Sequence, residues 1–310
     1  MDEAFDALEF GKISHDVFKG ITERSLQEII RLQENSGMSI LTSGLLTWHD
    51  PLRPFAVGFS GIELGGLSRF FDSNIYYRRP IIVGRITWSK PITIREIRKL
   101  RQHTSRLIKA IVPGPYTFLK LSENLFYDSD DLLIDDLIKA LKSEIDTLGG
   151  IADFVQIDEP SLVDPELSRV DRLRGIDIVN ELLTRVNISG EKLIVATYFN
   201  LDAEKYSLLL DLKAGLHLDL TSRAYSAREA LSEYGFDGKL LSLGVIDSRS
   251  VSPIDPREIV YRVSELLDKI STDLLIFSTS SWLNFIPYRE AVRKLDALGR
   301  VLAEAEVRFG

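Results

Sequence analysis

The chain of 310 residues is 45% hydrophobic and 27% charged, which predicts one large domain over residues 1–310, since an eight-stranded β/α barrel alone needs about 250 residues. It has four histidines and no cysteine, so disulfides and thiolate ligands are excluded and zinc is not an expected cofactor. The net charge of -8 disfavours nucleic acid as a partner, and with neither a long apolar run nor a signal peptide we expect a cytoplasmic protein without membrane contact.

Short β-branched apolar runs recur along the chain and alternate with amphipathic segments, a pattern typical of a parallel sheet flanked by helices. Eight runs are predicted as strands: Ser39–Ser43, Ile81–Trp88, Leu107–Val112, Asp153–Ile157, Lys192–Tyr198, Gly215–Leu220, Leu240–Ile246 and Asp273–Ser278. Capping residues predict helices from Ser129 to about Gly149, from Ser226 to about Gly235, after Asp255, and from about Tyr288. The fold class predicted is α/β, of the TIM-like (β/α)8 barrel type.

In a β/α barrel the functional side chains follow the carboxyl ends of the strands, so these ends are the places to inspect. After Leu107–Val112, Gly114 lets the backbone approach a ligand, and Tyr116 and Thr117 present hydroxyl groups. A rigid turn from strand to helix explains the same residues.

Two adjacent carboxylates, Asp158 and Glu159, follow the strand Asp153–Ile157. Successive side chains of an extended backbone face opposite ways, so we expect one of the two in the barrel mouth. An inward Asp158 would bind a substrate ammonium group or act as a base; the alternative is a salt bridge or a cap for the next helix.

The next two strands end in further polar groups. Tyr198 and Asn200 offer hydrogen bonds without a strong metal ligand, as ordinary loop residues also would. His217 and Asp219 share one strand face, where two residues would chelate a metal only with a third ligand. We therefore predict that this histidine and carboxylate pair with each other and that no metal is bound.

The last two strand ends carry a cation, hydroxyl groups and an indole. Arg249 would place a forked donor for a ligand carboxylate near the mouth, or would pair with Asp247 or another acid. Ser280 offers a hydroxyl group, and Trp282 would either stack on a flat ligand ring or plug the core.

Taken in order, these strand ends resemble the barrels of cobalamin-independent methionine synthase. The resemblance runs from about Gly11 to Tyr288, and its motifs are Gly114-Pro115-Tyr116-Thr117, Ile157-Asp158-Glu159-Pro160 and Gly244-Val245-Ile246. Full-length members have two related barrels, and only the C-terminal one binds the zinc that activates homocysteine.

The positions that distinguish the two barrels resemble the N-terminal, zinc-free one. Thr197-Tyr198-Phe199 stands where the zinc barrel has its His-x-Cys pair, Arg249 where it has an acid histidine, and Ser280-Ser281 where it has its last cysteine. Asp219 matches the position of the zinc-binding glutamate, but alone.

The family's barrel opens with a strand before the segment that resembles Gly11–Ser14, and none precedes it here, so we expect a barrel that lacks or replaces its first strand. Ile81–Trp88 resembles an accessory segment outside the ring. In full-length members of the family, that opening segment also carries basic residues that help to hold the polyglutamate tail of the folate-type methyl donor.

The resemblance implies an accessory or substrate-binding subunit in methyl transfer to homocysteine, with a separate zinc-bearing methionine synthase chain as partner and a small-molecule ligand. Two alternatives stay open: an independent homocysteine methyltransferase with a metal around His217 and Asp219, and a non-catalytic scaffold or binding protein.

Overall fold

The computed structural model describes residues 1–221 and 226–309. Ten strands are present in that part of the chain: β1 (Ile40–Leu41), β2 (Phe59–Arg69), β3 (Tyr76–Trp88), β4 (Leu107–Pro113), β5 (Glu123–Asn124), β6 (Phe154–Asp158), β7 (Leu193–Thr197), β8 (Gly215–Asp219), β9 (Phe236–Ile246) and β10 (Ile270–Thr279). The α-helices of the same part are α1 (Asp2–Glu9), α2 (His15–Asn35), α3 (Arg53–Gly58), α4 (Ile94–His103), α5 (Pro115–Leu121), α6 (Asp130–Leu148), α7 (Arg169–Arg185), α8 (Ala203–Leu209), α9 (Ser226–Tyr234), α10 (Pro256–Ser264) and α11 (Tyr288–Phe309).

Seven strands form one curled parallel sheet in the order β1-β4-β6-β7-β8-β9-β10, which confirms the predicted α/β barrel class. Every residue of β6, β7 and β8 is buried, because helices cover the outer face of the sheet and the curl encloses its inner face. The carboxyl ends of all seven strands therefore meet at one end of the sheet, the barrel mouth.

A second sheet of three strands, in the order β2-β3-β5, stands apart from the ring. β2 and β3 form a long antiparallel hairpin, and β5 adds two residues in parallel to β3. The prediction that Ile81–Trp88 lies outside the ring is confirmed. β2 was not predicted because three glycines, Gly61, Gly65 and Gly66, interrupt its apolar pattern.

The ring has an open position between β1 and β10, where no strand of the described residues pairs with either free edge. β10 is partly exposed along its length, unlike the central strands. Helices α2 and α11 meet outside this position: Ser36 Oγ donates to Asp296 Oδ1 (2.9 Å) and Tyr288 Oη donates to Glu28 Oε1 (2.8 Å). At Gly299 a Cβ would collide with the carbonyl oxygen of Ser36, so glycine permits the close helix contact.

The predicted N-terminal caps of α6 and α10 are confirmed. Ser129 Oγ accepts from the Leu132 amide and Asp255 Oδ1 accepts from the Arg257 amide, and these begin α6 and α10. α9 ends before Gly235, which has φ 67°, whereas the side chain of Ser226 lies outside the described residues. No helix of residues 1–221 and 226–309 combines the length and the apolar character that a membrane span requires.

Candidate functional site

Asp158 ends β6 and points into the barrel mouth, where only 4% of the residue is exposed. Its Oδ1 accepts from Gln156 Nε2 at 2.7 Å, and its Oδ2 accepts from Trp282 Nε1 at 2.8 Å and from Tyr198 Oη at 3.4 Å. Burial raises the pKa of this carboxyl to about 6, while the surrounding donors and the charge of Lys109 act in the opposite direction. The expectation that one of the two adjacent carboxylates points into the barrel mouth agrees with this geometry.

Lys109 and Gln156 extend this network into the barrel interior. Lys109 Nζ donates to Gln156 Oε1 at 2.5 Å, and the amide group of the same glutamine donates to Asp158. Burial lowers the pKa of Lys109 to about 8, and the charge of Asp158 acts against that shift. Inspection of strand ends missed both residues because each lies inside an apolar run; the signal that marks them is a polar residue two or more positions before the strand end.

Glu159 faces away from Asp158 and caps helix α5. Its carboxylate accepts from the amides of Tyr116 and Thr117 (both 2.8 Å) and from Thr117 Oγ1 (2.7 Å). Burial raises the pKa of Glu159 to about 7, against these three donors. The same carboxylate explains Gly114, because a Cβ there would overlap the Glu159 side chain. The close approach that this glycine permits is to Glu159, which favours the rigid turn over a ligand contact at Gly114.

The side chains of Tyr116 and Thr117, the two hydroxyl-bearing residues predicted at the start of α5, lie in different places. Thr117 lines the small cavity beside Asp158 and also accepts from the Ser161 amide (3.2 Å). The ring of Tyr116 lies against Gly175 of α7, and burial raises the pKa of this phenol to about 12. The structure therefore brings Thr117, but not Tyr116, to the cavity.

The predicted pair between His217 and Asp219 is wrong. His217 Nε2 lies 3.1 Å from the Ser280 carbonyl oxygen and Nδ1 lies 2.8 Å from Ser242 Oγ. Asp219 instead accepts from the amide and hydroxyl of Thr221 and from the Phe199 amide. A common strand face places the two side chains on one side of the sheet, but each reaches a nearer partner on another segment.

His217 is neutral in this setting. Burial lowers its pKa to about 4, and the positive charge of Lys109 adds to that effect. Because the carbonyl oxygen of Ser280 can only accept, Nε2 carries the proton, and Nδ1 accepts from the Ser242 hydroxyl. Both ring nitrogens are thus engaged and neither is free for a ligand.

The guanidinium group of Arg249 lies 4.4 Å from the centre of the Phe199 ring. Asp247 accepts from the backbone amide of Arg249 at 2.8 Å, so the two residues form a turn rather than an ion pair. Asn200 is exposed, and its backbone oxygen accepts from Lys205 Nζ (2.7 Å). Its side chain is therefore not part of the buried group around Asp158.

Ser280 is fully buried at the end of β10. Its hydroxyl oxygen accepts from the Ser248 amide (3.2 Å) and lies 3.0 Å from Ser248 Oγ, which in turn is 2.5 Å from Ser281 Oγ. The three hydroxyl groups join the β9 and β10 ends of the mouth. They satisfy one another and do not line the cavity beside Asp158.

The barrel mouth is closed by aromatic rings. Trp282 meets Trp48 edge to face at 5.8 Å between ring centres, and Phe70, at the turn of the β2–β3 hairpin, reaches the same place. The cavity left beside Asp158 is about 10 Å³, room for about one water molecule. Its walls are Pro51, Leu52, Phe70, Pro113, Thr117, Asp158, Tyr198 and Trp282. A ligand of amino-acid size would have to displace part of this cover.

The residues at the mouth do not fit a zinc ion. The chain has no cysteine, both nitrogens of His217 are hydrogen-bonded, and Asp219 accepts three hydrogen bonds from Thr221 and Phe199. Within residues 1–221 and 226–309, no three His, Asp or Glu side chains are grouped so as to hold a metal ion. No chemical step is therefore assigned to a metal on this chain.

Residues 54–271 match the family model described as the N-terminal domain of cobalamin-independent synthase. The chain belongs to the cobalamin-independent methionine synthase family. The methionine synthase of Saccharolobus solfataricus is 26% identical over 299 residues, which cover 93% of this chain and 85% of that protein. The methionine synthase of Pyrococcus abyssi is 24% identical over 291 residues, with 93% and 83% covered.

Solved structures of the family share the fold. A B12-independent methionine synthase from Shewanella sp. W3-18-1, in complex with selenomethionine, superposes with a TM-score of 0.80 at 18% identity and covers 96% of this chain and 90% of that one. A putative vitamin-B12-independent methionine synthase from Listeria monocytogenes has a TM-score of 0.76 at 17% identity, with 100% and 93% covered. Together with the family model, these comparisons confirm the resemblance to the N-terminal barrel.

Proposed function

We propose that this chain is the zinc-free barrel subunit of a cobalamin-independent methionine synthase and works beside a separate zinc-bearing chain. The observation that carries the proposal is the match to the family's N-terminal domain together with a donor set that does not fit zinc. Methyl transfer to homocysteine needs an activated thiol, and on this proposal the partner activates it.

The reaction proposed for the two chains together is methyl transfer from a folate-type donor to homocysteine. The carbon–nitrogen bond of the donor breaks and a carbon–sulfur bond forms; the thiol gives up one proton and the donor nitrogen takes up one. This chain contributes binding to that reaction. Asp158 supplies a buried negative charge for the amino group of an amino-acid ligand, with Tyr198 and Thr117 beside it.

Binding at Asp158 requires the cover to move. The indole N–H of Trp282 occupies Oδ2 of Asp158, which is where an ammonium donor would bind, and the cavity holds no more than about one water molecule. The proposal therefore places ligand entry at Trp282 and at the hairpin turn that carries Phe70. On this proposal the zinc-bearing chain, which would face the mouth, stabilises the opened form.

The experiment is association of the tagged chain with a zinc-bearing methionine synthase chain from the same organism, followed by size-exclusion chromatography, and titration of homocysteine by calorimetry. We expect a complex, and homocysteine binding that Asp158→Asn weakens at least tenfold. Asp164→Asn, at the far end of the short helical turn that follows Asp158, is the matched control and should bind as the unmodified chain does. Absence of a complex at micromolar concentrations would contradict the proposal.

A second candidate, a binding or scaffold protein without a catalytic role, is favoured by one observation. Both carboxylate oxygens of Asp158 already accept hydrogen bonds from protein donors, and the mouth is closed. Under this alternative the zinc-bearing chain would be fully active alone, and the complex, if formed, would leave its methyl transfer rate unchanged.

A further inference from the structure

Lys109 is an unusual residue for its place in the fold. β4 reads Leu107-Ile108-Lys109-Ala110-Ile111-Val112-Pro113, and Lys109 is its only ionisable residue. Register pairs Lys109 with Phe154 and Pro113 with Asp158, so the lysine begins two layers below the carboxylate on the inner face, with Gln156 in the layer between them. An ammonium group in that interior is costly unless a compensating charge and hydrogen bond are present.

The side chain of Gln156 connects the buried ammonium group of Lys109 to the negative charge of Asp158. Lys109 Nζ donates to Gln156 Oε1 at 2.5 Å, which fixes the amide so that its Nε2 points at Asp158 Oδ1 at 2.7 Å. Gln156 is 7% exposed and Asp158 4% exposed, so water does not substitute for either contact. The contacts link the ammonium group of Lys109 to the carboxylate of Asp158, two layers away. The amide of Gln156 lies between them, with its oxygen accepting from the lysine and its nitrogen donating to the carboxylate.

We propose that Lys109 is a positioning residue: acting through Gln156, it keeps the Asp158 carboxylate ionised and directed at the barrel mouth. The inference deepens the function proposed above, and it rests on that function only for the identity of the ligand. Without the lysine, the amide of Gln156 is free to rotate and the buried carboxylate loses its cationic partner, so the neutral acid is stabilised relative to the carboxylate.

Other groups facing Asp158 do not replace the lysine. Tyr198 donates a long hydrogen bond and Trp282 a short one, but neither carries a positive charge. Glu159 adds a second negative charge next to it on the chain, and neutral His217 is itself held uncharged in part by Lys109. Lys109 is the cation whose charge acts on Asp158 among these groups.

The experiment uses the purified chain alone and follows the indole N–H resonances in ¹H–¹⁵N spectra from acid to neutral pH. Trp282 donates to Asp158, so its resonance reports the protonation of that carboxyl; Trp282→Phe assigns the peak. The pKa of Asp158, about 6 in the unmodified chain, is the expected midpoint. Lys109→Met should raise that midpoint by about half a pH unit or more. Lys109→Arg, which keeps the charge, should have a midpoint close to that of the unmodified chain.

Two further variants separate positioning from a loss of structure. Lys294→Met removes another buried lysine, whose Nζ donates to Ser252 O at 3.1 Å, and should leave the midpoint unchanged. Gln156→Leu keeps the lysine but breaks the link, and should also raise the midpoint. The resonance of Trp88, which donates to Glu144 at 2.8 Å, should not move in the Lys109 or Gln156 variants and serves as the folding control.

An unchanged midpoint in Lys109→Met overturns the inference, whatever Gln156→Leu does, as does an equal shift in Lys294→Met. The measurement needs neither homocysteine nor the zinc-bearing chain. Its failure would therefore remove the role of Lys109 and leave the proposed function untouched, whereas failure of the association experiment would leave the titration of Asp158 unaffected.

Discussion

Replacing Glu159 with alanine is the sharpest test of how the strand end is built. The fully buried carboxylate accepts three hydrogen bonds, from the amides of Tyr116 and Thr117 and from Thr117 Oγ1, at 2.7 to 2.8 Å. Each buried donor left without a partner costs about 1–3 kcal/mol. Since water can reach part of the space that opens, we expect Glu159→Ala to lower the free energy of unfolding by about 3–5 kcal/mol.

The assay is urea-induced unfolding at neutral pH followed by circular dichroism. Glu166→Ala is the matched control because Glu166 lies in the same loop with an exposed side chain, so its removal should change the free energy by no more than about 0.5 kcal/mol. If the two variants differ by less than about 1 kcal/mol, the cap at α5 is not a stabilising contact and Glu159 would become a candidate ligand-binding group again.

Three further predictions concern other parts of the barrel. Burial lowers the pKa of His217 from 6.5 to about 4. As pH falls through this range, the unfolded chain binds a proton before the folded chain does, so the free energy of unfolding falls by up to about 1.4 kcal/mol per pH unit from this group. His217→Gln should flatten that slope in acid unfolding, and His15→Gln, at an exposed position, serves as the control variant. Gly299→Ala should destabilise the chain by about 1–3 kcal/mol through its collision with Ser36, whereas Gly190→Ala, with its nearest neighbour at 3.7 Å, should stay within about 0.5 kcal/mol in the same urea assay. A double-mutant cycle with Arg249→Met and Phe199→Leu should show a coupling energy of about 0.5–1 kcal/mol; zero coupling would mean that the guanidinium does not interact with the ring.

The parallel sheet could be predicted because each strand of the ring contains a short continuous apolar run, the pattern that a strand buried on both faces requires. Boundaries were less predictable. β1 is only Ile40–Leu41, since Gly44 and Leu45 adopt positive φ and Ser43 turns its hydroxyl to Glu96. β9 begins at Phe236, before the apolar run at Leu240, because parallel pairing with β10 extends the strand.

The candidate site was predictable only in part. Asp158, Tyr198 and Trp282 could be expected together because strand ends converge in a barrel. The partners of His217 could not, since Ser242 and Ser280 are distant in sequence and strand spacing specifies a face but no contact. The closed cover also escaped prediction: Trp48 and Phe70 come from segments with no strand-end motif, and tertiary packing alone brings them over Asp158.

The most direct test of the proposed role is methyl transfer to homocysteine, measured with zinc content, for the purified chain alone, for the zinc-bearing methionine synthase chain of the same organism alone, and for the mixture. We predict no stoichiometric zinc and no activity for this chain alone, and a higher rate in the mixture than with the zinc-bearing chain by itself. Stoichiometric zinc together with methyl transfer by this chain alone would contradict the account.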